Sequence, residues 1–156
     1  MIETVGDIWE YADRAVIAIT TNGSLTPDGR AIFGRGVARQ AALRYPELAY
    51  KSGRLLAEGG NHVFDLGGGI VTFPVEETPW SQPDLRIIAR SAEELRLLAD
   101  RSGWGQVVVP RPGCGGGGLA WQDVKPLLEA CFDHRFLVIS CKTSLTQRRD
   151  AATKGI

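Results

Sequence analysis

The stretch Val107-Val108-Val109-Pro110-Arg111-Pro112-Gly113-Cys114-Gly115-Gly116-Gly117-Gly118-Leu119-Ala120-Trp121 decides how this chain is read. A β-branched apolar run stops at Pro110 and opens into a segment, Gly113 to Gly118, in which five of six residues are glycine. A helical pattern, Asp123 to Phe132, follows. A strand that ends in a glycine loop and leads into a helix brings backbone close to an anion. Missing Cβ atoms permit the approach, and free N–H groups of the loop and helix start point at the charge. A flexible surface turn is the competing account, but such turns rarely need so many glycines in succession.

Outward from this stretch, strands and helices alternate. Ala15 to Thr20 is a buried-type strand, followed by a long polar loop from Thr21 to Gly36 with turn chemistry at Pro27-Asp28-Gly29. Val37 to Tyr45 reads as a helix stopped by Pro46, and a second helix over 47–58 is closed by Gly59-Gly60. Short strands are expected at His62 to Leu66 and Ile70 to Phe73, around Gly67-Gly68-Gly69. After the loop Pro74 to Gln82, Ser81 reads as the N-cap of a helix running to Arg101, with Pro83 near its start and an apolar stripe at Leu85, Ile88, Ala92, Leu95 and Ala99. Gln106 to Pro110 and Phe136 to Cys141 are the remaining strands. Such alternation implies an α/β layered domain with a mostly parallel sheet, whose ligands bind beyond the carboxyl ends of the strands. The loops Thr21 to Gly36, Pro74 to Gln82 and Arg111 to Trp121 all fall there. The expected organisation is one domain over 1–141 and a polar, fraying tail over 142–156.

Bulk composition excludes several classes. The 156 residues carry 18 Lys+Arg and 18 Asp+Glu, so there is no general attraction to nucleic acid or a membrane surface. No apolar run is long enough to span a bilayer, and the start, Met1 to Asp7, lacks the basic and apolar regions of a signal peptide. Three widely spaced cysteines, Cys114, Cys131 and Cys141, fit a reduced, cytoplasmic setting. A monomer is expected. Neither cysteines nor histidines show metal-ligand spacing, so no metal and no cofactor are expected.

The first loop holds a second candidate cradle, Gly34-Arg35-Gly36-Val37-Ala38, just before a helix. Two glycine loops suit a diphosphate held between them. Asp7, in Gly6-Asp7-Ile8, either accepts a hydrogen bond from an exocyclic amine such as adenine's or caps the turn Ile8 to Ala12.

Taken in order, Gly6-Asp7-Ile8, Thr21-Asn22-Gly23, Gly34-Arg35-Gly36-Val37-Ala38, Phe73-Pro74 and Pro110 to Gly115 with Leu119 and Trp121 resemble a macro domain. The similarity runs over residues 3–141 and is to the bacterial and phage branch described as ADP-ribose-1''-phosphate phosphatase-like, related to domains that remove ADP-ribose from proteins or DNA. The resemblance implies a three-layer α/β/α sandwich around a mixed, mostly parallel sheet, and ADP-ribose or an ADP-ribosylated substrate as partner. It implies that Asp7 meets the adenine amine and Ile8 the ring, and that Asn22 sits near the distal ribose. Gly34, Arg35, Gly36 and Val37, with Gly113, Cys114, Gly115, Gly116, Gly117 and Gly118, would hold the diphosphate.

The chain departs from that pattern where catalysis is concerned. Relatives that hydrolyse ADP-ribosyl links often carry a lysine shortly after the strand that ends here in Phe73-Pro74; this chain has Val75-Glu76-Glu77. They also often have an aspartate in the second glycine loop, where this chain has Gly116-Gly117-Gly118. The remaining candidate acids are Asp28, Glu76 and Glu77, each either a water-handling group near the distal ribose or a solvated loop charge. Asn22, Asp28 and Glu76 are taken as the candidate catalytic set. Cys114 is read as structural, as are His62 and His134, while Trp80, Trp104 and Trp121 fit either base stacking or packing. Two functions fit: a hydrolase acting on an ADP-ribose derivative, and a non-catalytic reader of ADP-ribose or a related nucleotide. Binding of another nucleotide, or of an RNA end, is a third.

Overall fold

The computed structural model describes residues 1–141; the tail expected at 142–156 lies outside the described residues. Five strands, β1 (Ile2–Val5), β2 (Val16–Thr21), β3 (Ile70–Pro74), β4 (Val107–Pro110) and β5 (Phe136–Ser140), form one sheet in the order β1-β5-β4-β2-β3. Helices α1 (Gly36–Arg44), α2 (Leu48–Gly59), α3 (Leu85–Ser102) and α4 (Trp121–Glu129) connect them, and a 3-10 turn, Ile8–Tyr11, follows β1. Every strand pair is parallel, so the sheet is not mixed as expected. The antiparallel pairings among the described residues are the isolated bridges Leu25–Ala31 and Asp65–Val71.

Strand periodicity builds the layers. Ala18, Val71, Phe73, Val107, Val109, Phe136 and Val138 face one side, where they meet Ile88, Ala92, Leu95 and Ala99 of α3 and Val124 and Leu128 of α4. Their neighbours Ile17, Ile19, Ile70, Val108, Leu137 and Ile139 face the other, against Ile8 and Trp9, Ala38 and Ala41 of α1, and Leu48 of α2. The result is a three-layer α/β/α sandwich. A sheet covered on both faces needs strands that are apolar almost throughout, as β3 and β5 are, buried at every position.

Three local readings are corrected. Strand β1 was not expected; it is a short edge strand, largely exposed, registered so that Ile2 lies beside Leu137 and Val5 beside Ser140. His62 to Leu66 is not a regular strand. The Phe64 N–H donates to the Thr72 hydroxyl at 2.7 Å, and the Val63 N–H and His62 Nδ1 are held by the Glu94 carboxylate, so only the Asp65–Val71 bridge forms against β3. Helix α3 begins at Leu85, not after Ser81. Ser81 and Thr78 spend their hydroxyls on each other's backbone N–H, at 3.2 and 3.0 Å, and Asp84 caps the helix by accepting from the Arg86 N–H at 2.8 Å.

Because all strands run the same way, Val5, Thr21, Pro74, Pro110 and Ser140 end at one edge of the sheet. Hydrogen bonds tie the loops together there: Val75 N–H donates to the Thr21 carbonyl at 3.0 Å, Gly23 N–H to Glu77 at 2.9 Å, and Asp84 N–H to Val75 at 2.8 Å.

Candidate functional site

A cleft with two lobes runs across the carboxyl ends of the strands. The first lobe encloses about 800 Å³ and is lined by Asp7, Ile8, Gln40, Arg44, Cys114 and Ser140, among others. The second encloses about 510 Å³, with Asn22, Gly34, Arg35, Glu76, Pro79, Pro83, Gly113, Gly116 and Gly117 in its wall. Gly36, Val37, Pro110, Arg111 and Gly115 line both, and so form the neck between them. The two glycine turns found in the sequence therefore meet at one place.

The neck combines an uncapped helix start with a glycine turn. Helix α1 has no side-chain cap: Arg35, in its N-cap position, is extended and makes no capping hydrogen bond. The first N–H groups of such a helix have no partner within it and carry the positive end of its dipole. Gly36 starts the helix with φ +60°, a conformation a side chain would strain. Opposite, Gly113 turns the chain out of β4 with φ +71°, and a Cβ there would lie 2.8 Å from Leu119 Cδ1 and 2.9 Å from Pro83 Cβ. The loop is closed by the Leu119 N–H donating to the Gly113 carbonyl at 2.9 Å. Cys114 is buried beneath it, its thiol directed at the Pro112 carbonyl at 3.4 Å, consistent with a structural side chain.

The first lobe ends at the 3-10 turn. Asp7 lines the lobe and also caps that turn, its Oδ1 accepting from the Trp9 N–H at 3.0 Å. Trp9 donates its indole N–H to Gln40 at 2.7 Å and lies under Arg44 at 4.6 Å, which joins this wall to α1.

In the second lobe, Asn22 clamps its own loop. Its amide N–H donates to the Ile32 carbonyl, and its oxygen accepts from the Ser24 N–H, each at 3.0 Å. Glu76 stands across from it at the end of β3, its side chain 6% exposed, and both carboxylate oxygens accept from the Arg35 guanidinium at 3.2 Å. Glu76 is the one carboxylate among the described residues lining this lobe.

The structure thus brings Asp7, Ile8, Asn22, Gly34, Arg35, Gly36, Val37, Glu76, Gly113, Cys114, Gly115, Gly116 and Gly117 to one cleft. It does not bring Asp28 there. Asp28 sits on an exposed turn, bonded to the Thr26 hydroxyl and ion-paired with Arg30 at 3.1 Å; the Thr26 hydroxyl and Arg30 hold its carboxyl below the usual range. Gly118 lies outside the lining, where φ +80° turns the loop toward α4. Glu77 faces Gly23, its Oε2 3.0 Å from where a Gly23 Cβ would stand.

Sequence reasoning missed Arg111. It lines both lobes, stacks on the Trp121 ring at 4.7 Å, and pairs with Glu3 at 3.7 Å. A cation inside the glycine motif was the available signal. Pro79, Pro83, Gln40 and Arg44 carry no such signal, because only the fold brings them in. Among the described residues there is no cluster of histidine, cysteine, aspartate or glutamate that could hold a metal ion, and no helix long and apolar enough to cross a membrane.

No protein-family model and no curated protein matches the sequence. Solved structures do match. The macrodomain of Mycobacterium tuberculosis DarG is 26% identical, with a TM-score of 0.72 over 88% of this chain and 95% of that one. The chain folds as a macro domain. The macrodomain of Thermus aquaticus DarG superposes with a TM-score of 0.73 at 19% identity, again over 88% and 95% of the two chains. Thermosipho africanus DarTG, solved in complex with ADP-ribose, gives a TM-score of 0.70 at 16% identity; the match spans 88% of this chain and 41% of that one.

Proposed function

We propose that this macro domain binds ADP-ribose and hydrolyses a derivative in which the distal ribose carries a phosphate or a macromolecule. The observation that carries the reading is the shared neck: two N–H-rich glycine turns converge between one lobe that ends in a carboxylate and another that ends in a carboxylate and an amide. A molecule with a diphosphate in its middle, a purine at one end and a sugar at the other has that distribution of charge and hydrogen-bonding groups. The diphosphate sits against the start of α1 and the Gly113–Gly117 loop, adenine reaches Asp7 and Ile8, and the distal ribose lies beside Asn22 and Glu76. That the structurally similar Thermosipho DarTG was solved in complex with ADP-ribose supports ADP-ribose as the ligand.

Hydrolysis needs a group that orients or deprotonates water. Glu76 fills that role in the second lobe, in place of the lysine expected in hydrolytic relatives. A second reading, a non-catalytic reader, is favoured by one observation: the polar atoms of Asn22 and the carboxylate of Glu76 already have partners within the chain.

Calorimetry with ADP-ribose, ADP and NAD, followed by incubation with ADP-ribose-1''-phosphate and with ADP-ribosylated protein and DNA, tests both. Binding with turnover that E76Q abolishes while affinity persists supports the hydrolase; micromolar binding with no turnover leaves the reader. No binding of ADP-ribose at millimolar excess removes both.

A further inference from the structure

The Arg35–Glu76 pair is unusual for an ion pair at a surface cleft. One partner is nearly fully buried and the other is half exposed, with side-chain exposures of 6% and 53%. The buried partner is the carboxylate. Taking a carboxylate out of water is costly unless a cation compensates it, and Arg35 is the cation that the structure gives Glu76. The exposed partner starts on the opposite wall, in the N-cap position of α1, where a capping side chain would ordinarily sit. Its path is visible from Gly116: a Cβ on that residue would lie 3.9 Å from Arg35 Cδ and 4.0 Å from its Nη1. The side chain therefore runs over the second glycine turn before one nitrogen, Nη2, reaches both Glu76 oxygens at 3.2 Å.

We propose that Arg35 is a latch that serves two anions in turn, clasping Glu76 until a diphosphate at the neck draws the guanidinium onto itself and releases the carboxylate into the second lobe. The inference rests on the ADP-ribose reading above. Its physical basis is competition. The guanidinium passes beside the turn that holds the diphosphate, and guanidinium–phosphate pairing is bidentate and strong. The grip on Glu76 comes from a single nitrogen, so the rest of the fork is available for the second anion. Because Glu76 is buried, the chain holds it near the sugar whether or not Arg35 is attached, and the departure of its partner leaves both carboxylate oxygens open to a water in the second lobe. Anion arrival and activation of Glu76 are then one event. Glycosides of ribose 5-phosphate, which lack the diphosphate, leave Glu76 clasped and are not processed.

A double-mutant cycle on the full chain reads the latch directly, by calorimetry with ADP and with ADP-ribose on the wild type, R35A, E76Q and R35A/E76Q. R35A weakens ADP binding about tenfold, and E76Q tightens it about tenfold, since the guanidinium no longer has to leave a carboxylate. The decisive comparison is E76Q in the two backgrounds. If Arg35 moves between anions, removing the Glu76 charge helps much more when Arg35 is present than in R35A, where only plain repulsion is relieved. An equal or larger gain in the R35A background overturns the latch, because an immobile Arg35 merely screens Glu76. R35K, which keeps the charge without the fork, gives an ADP affinity between wild type and R35A; R35K matching wild type also overturns it. Thermal melting confirms that each variant is folded. ADP-ribose binding by the wild type decides the underlying reading separately: with binding intact and no coupling, the latch alone fails.

Discussion

Gly117→Ala adds one methyl group to the loop that forms the far side of the neck, and its cost follows from two contacts. The new Cβ would stand 2.5 Å from Pro83 Cγ and 2.7 Å from the Gly113 carbonyl oxygen. Neither neighbour yields easily. Pro83 is a buried ring just before α3, and Gly113 is backbone already committed to Leu119. Ordinary carbon contacts need about 3.5 Å, so the loop must retreat by about 1 Å. Overpacking of this kind costs about 1–3 kcal/mol of stability. For a chain of this size that corresponds to a fall in Tm of about 2–12 °C. Affinity falls independently. A retreat of that size breaks at least one N–H hydrogen bond to a charged phosphate, worth about 1.5–3 kcal/mol, and so raises the Kd for ADP-ribose about tenfold to a hundredfold. Gly105→Ala is the control, since a Cβ there meets nothing within 4 Å and its φ is not left-handed. Calorimetry and thermal melting on both variants give the answer. If G117A binds ADP-ribose as tightly as G105A, the loop does not carry the diphosphate.

Asp7→Ala is expected to weaken ADP-ribose binding about tenfold by removing a charged acceptor, and to erase any preference over the hypoxanthine analogue, which lacks the exocyclic amine; a preference that survives in D7A assigns the recognition elsewhere. Ser91→Ala leaves the Pro74 carbonyl without the 2.6 Å hydrogen bond from a buried hydroxyl at the end of β3, and urea unfolding should register a loss of about 1–3 kcal/mol. The Arg135 guanidinium beside Asp133 pulls its carboxyl from 3.8 down to about 2. The folded value lies below the unfolded one, so the ionised form stabilises the fold above about pH 4, and that contribution is lost as pH falls toward 2. Melts of D133N and wild type should therefore differ at pH 5 and converge toward pH 2; a gap that stays constant refutes the pairing as its cause.

The parts of the fold visible in the sequence were those written as periodicity and punctuation. Val107-Val108-Val109-Pro110 is apolar on both faces because helices cover both, and Gly60 stops α2 as a C-cap does. What escaped was decided by contacts distant in sequence. Ile2–Val5 is too short and too polar to register as a strand until β5 supplies its partner. His62 to Leu66 has strand-like residues, but the Thr72 hydroxyl and Glu94 take the donors a ladder would use. The same split runs through the site. The glycine turns, Asn22 and Glu76 could be placed at the cleft because they flank strand ends or helix starts, and Asp7 because it precedes the turn Ile8 to Ala12. Asp28 shares that loop, yet Arg30 and Thr26 hold it in a turn beside α2, where Gly53 is so close that a Cβ would stand 2.1 Å from the Gly29 carbonyl. No local pattern distinguishes a loop carboxylate that turns inward from one that is tied down.

A cleft divided at a waist has a consequence for its chemistry of inhibition. A fragment that fills the compartment beside Asp7 and another that fills the one beside Glu76 need not exclude each other, although each displaces the natural occupant. Joining them with a linker that threads past Gly36 and Gly115 makes the second encounter intramolecular, and the joined molecule then outbinds either piece by the effective concentration the tether imposes. Gly36 and Gly115 bring only backbone to the waist, so resistance through side-chain change there is confined to Val37, Pro110 and Arg111.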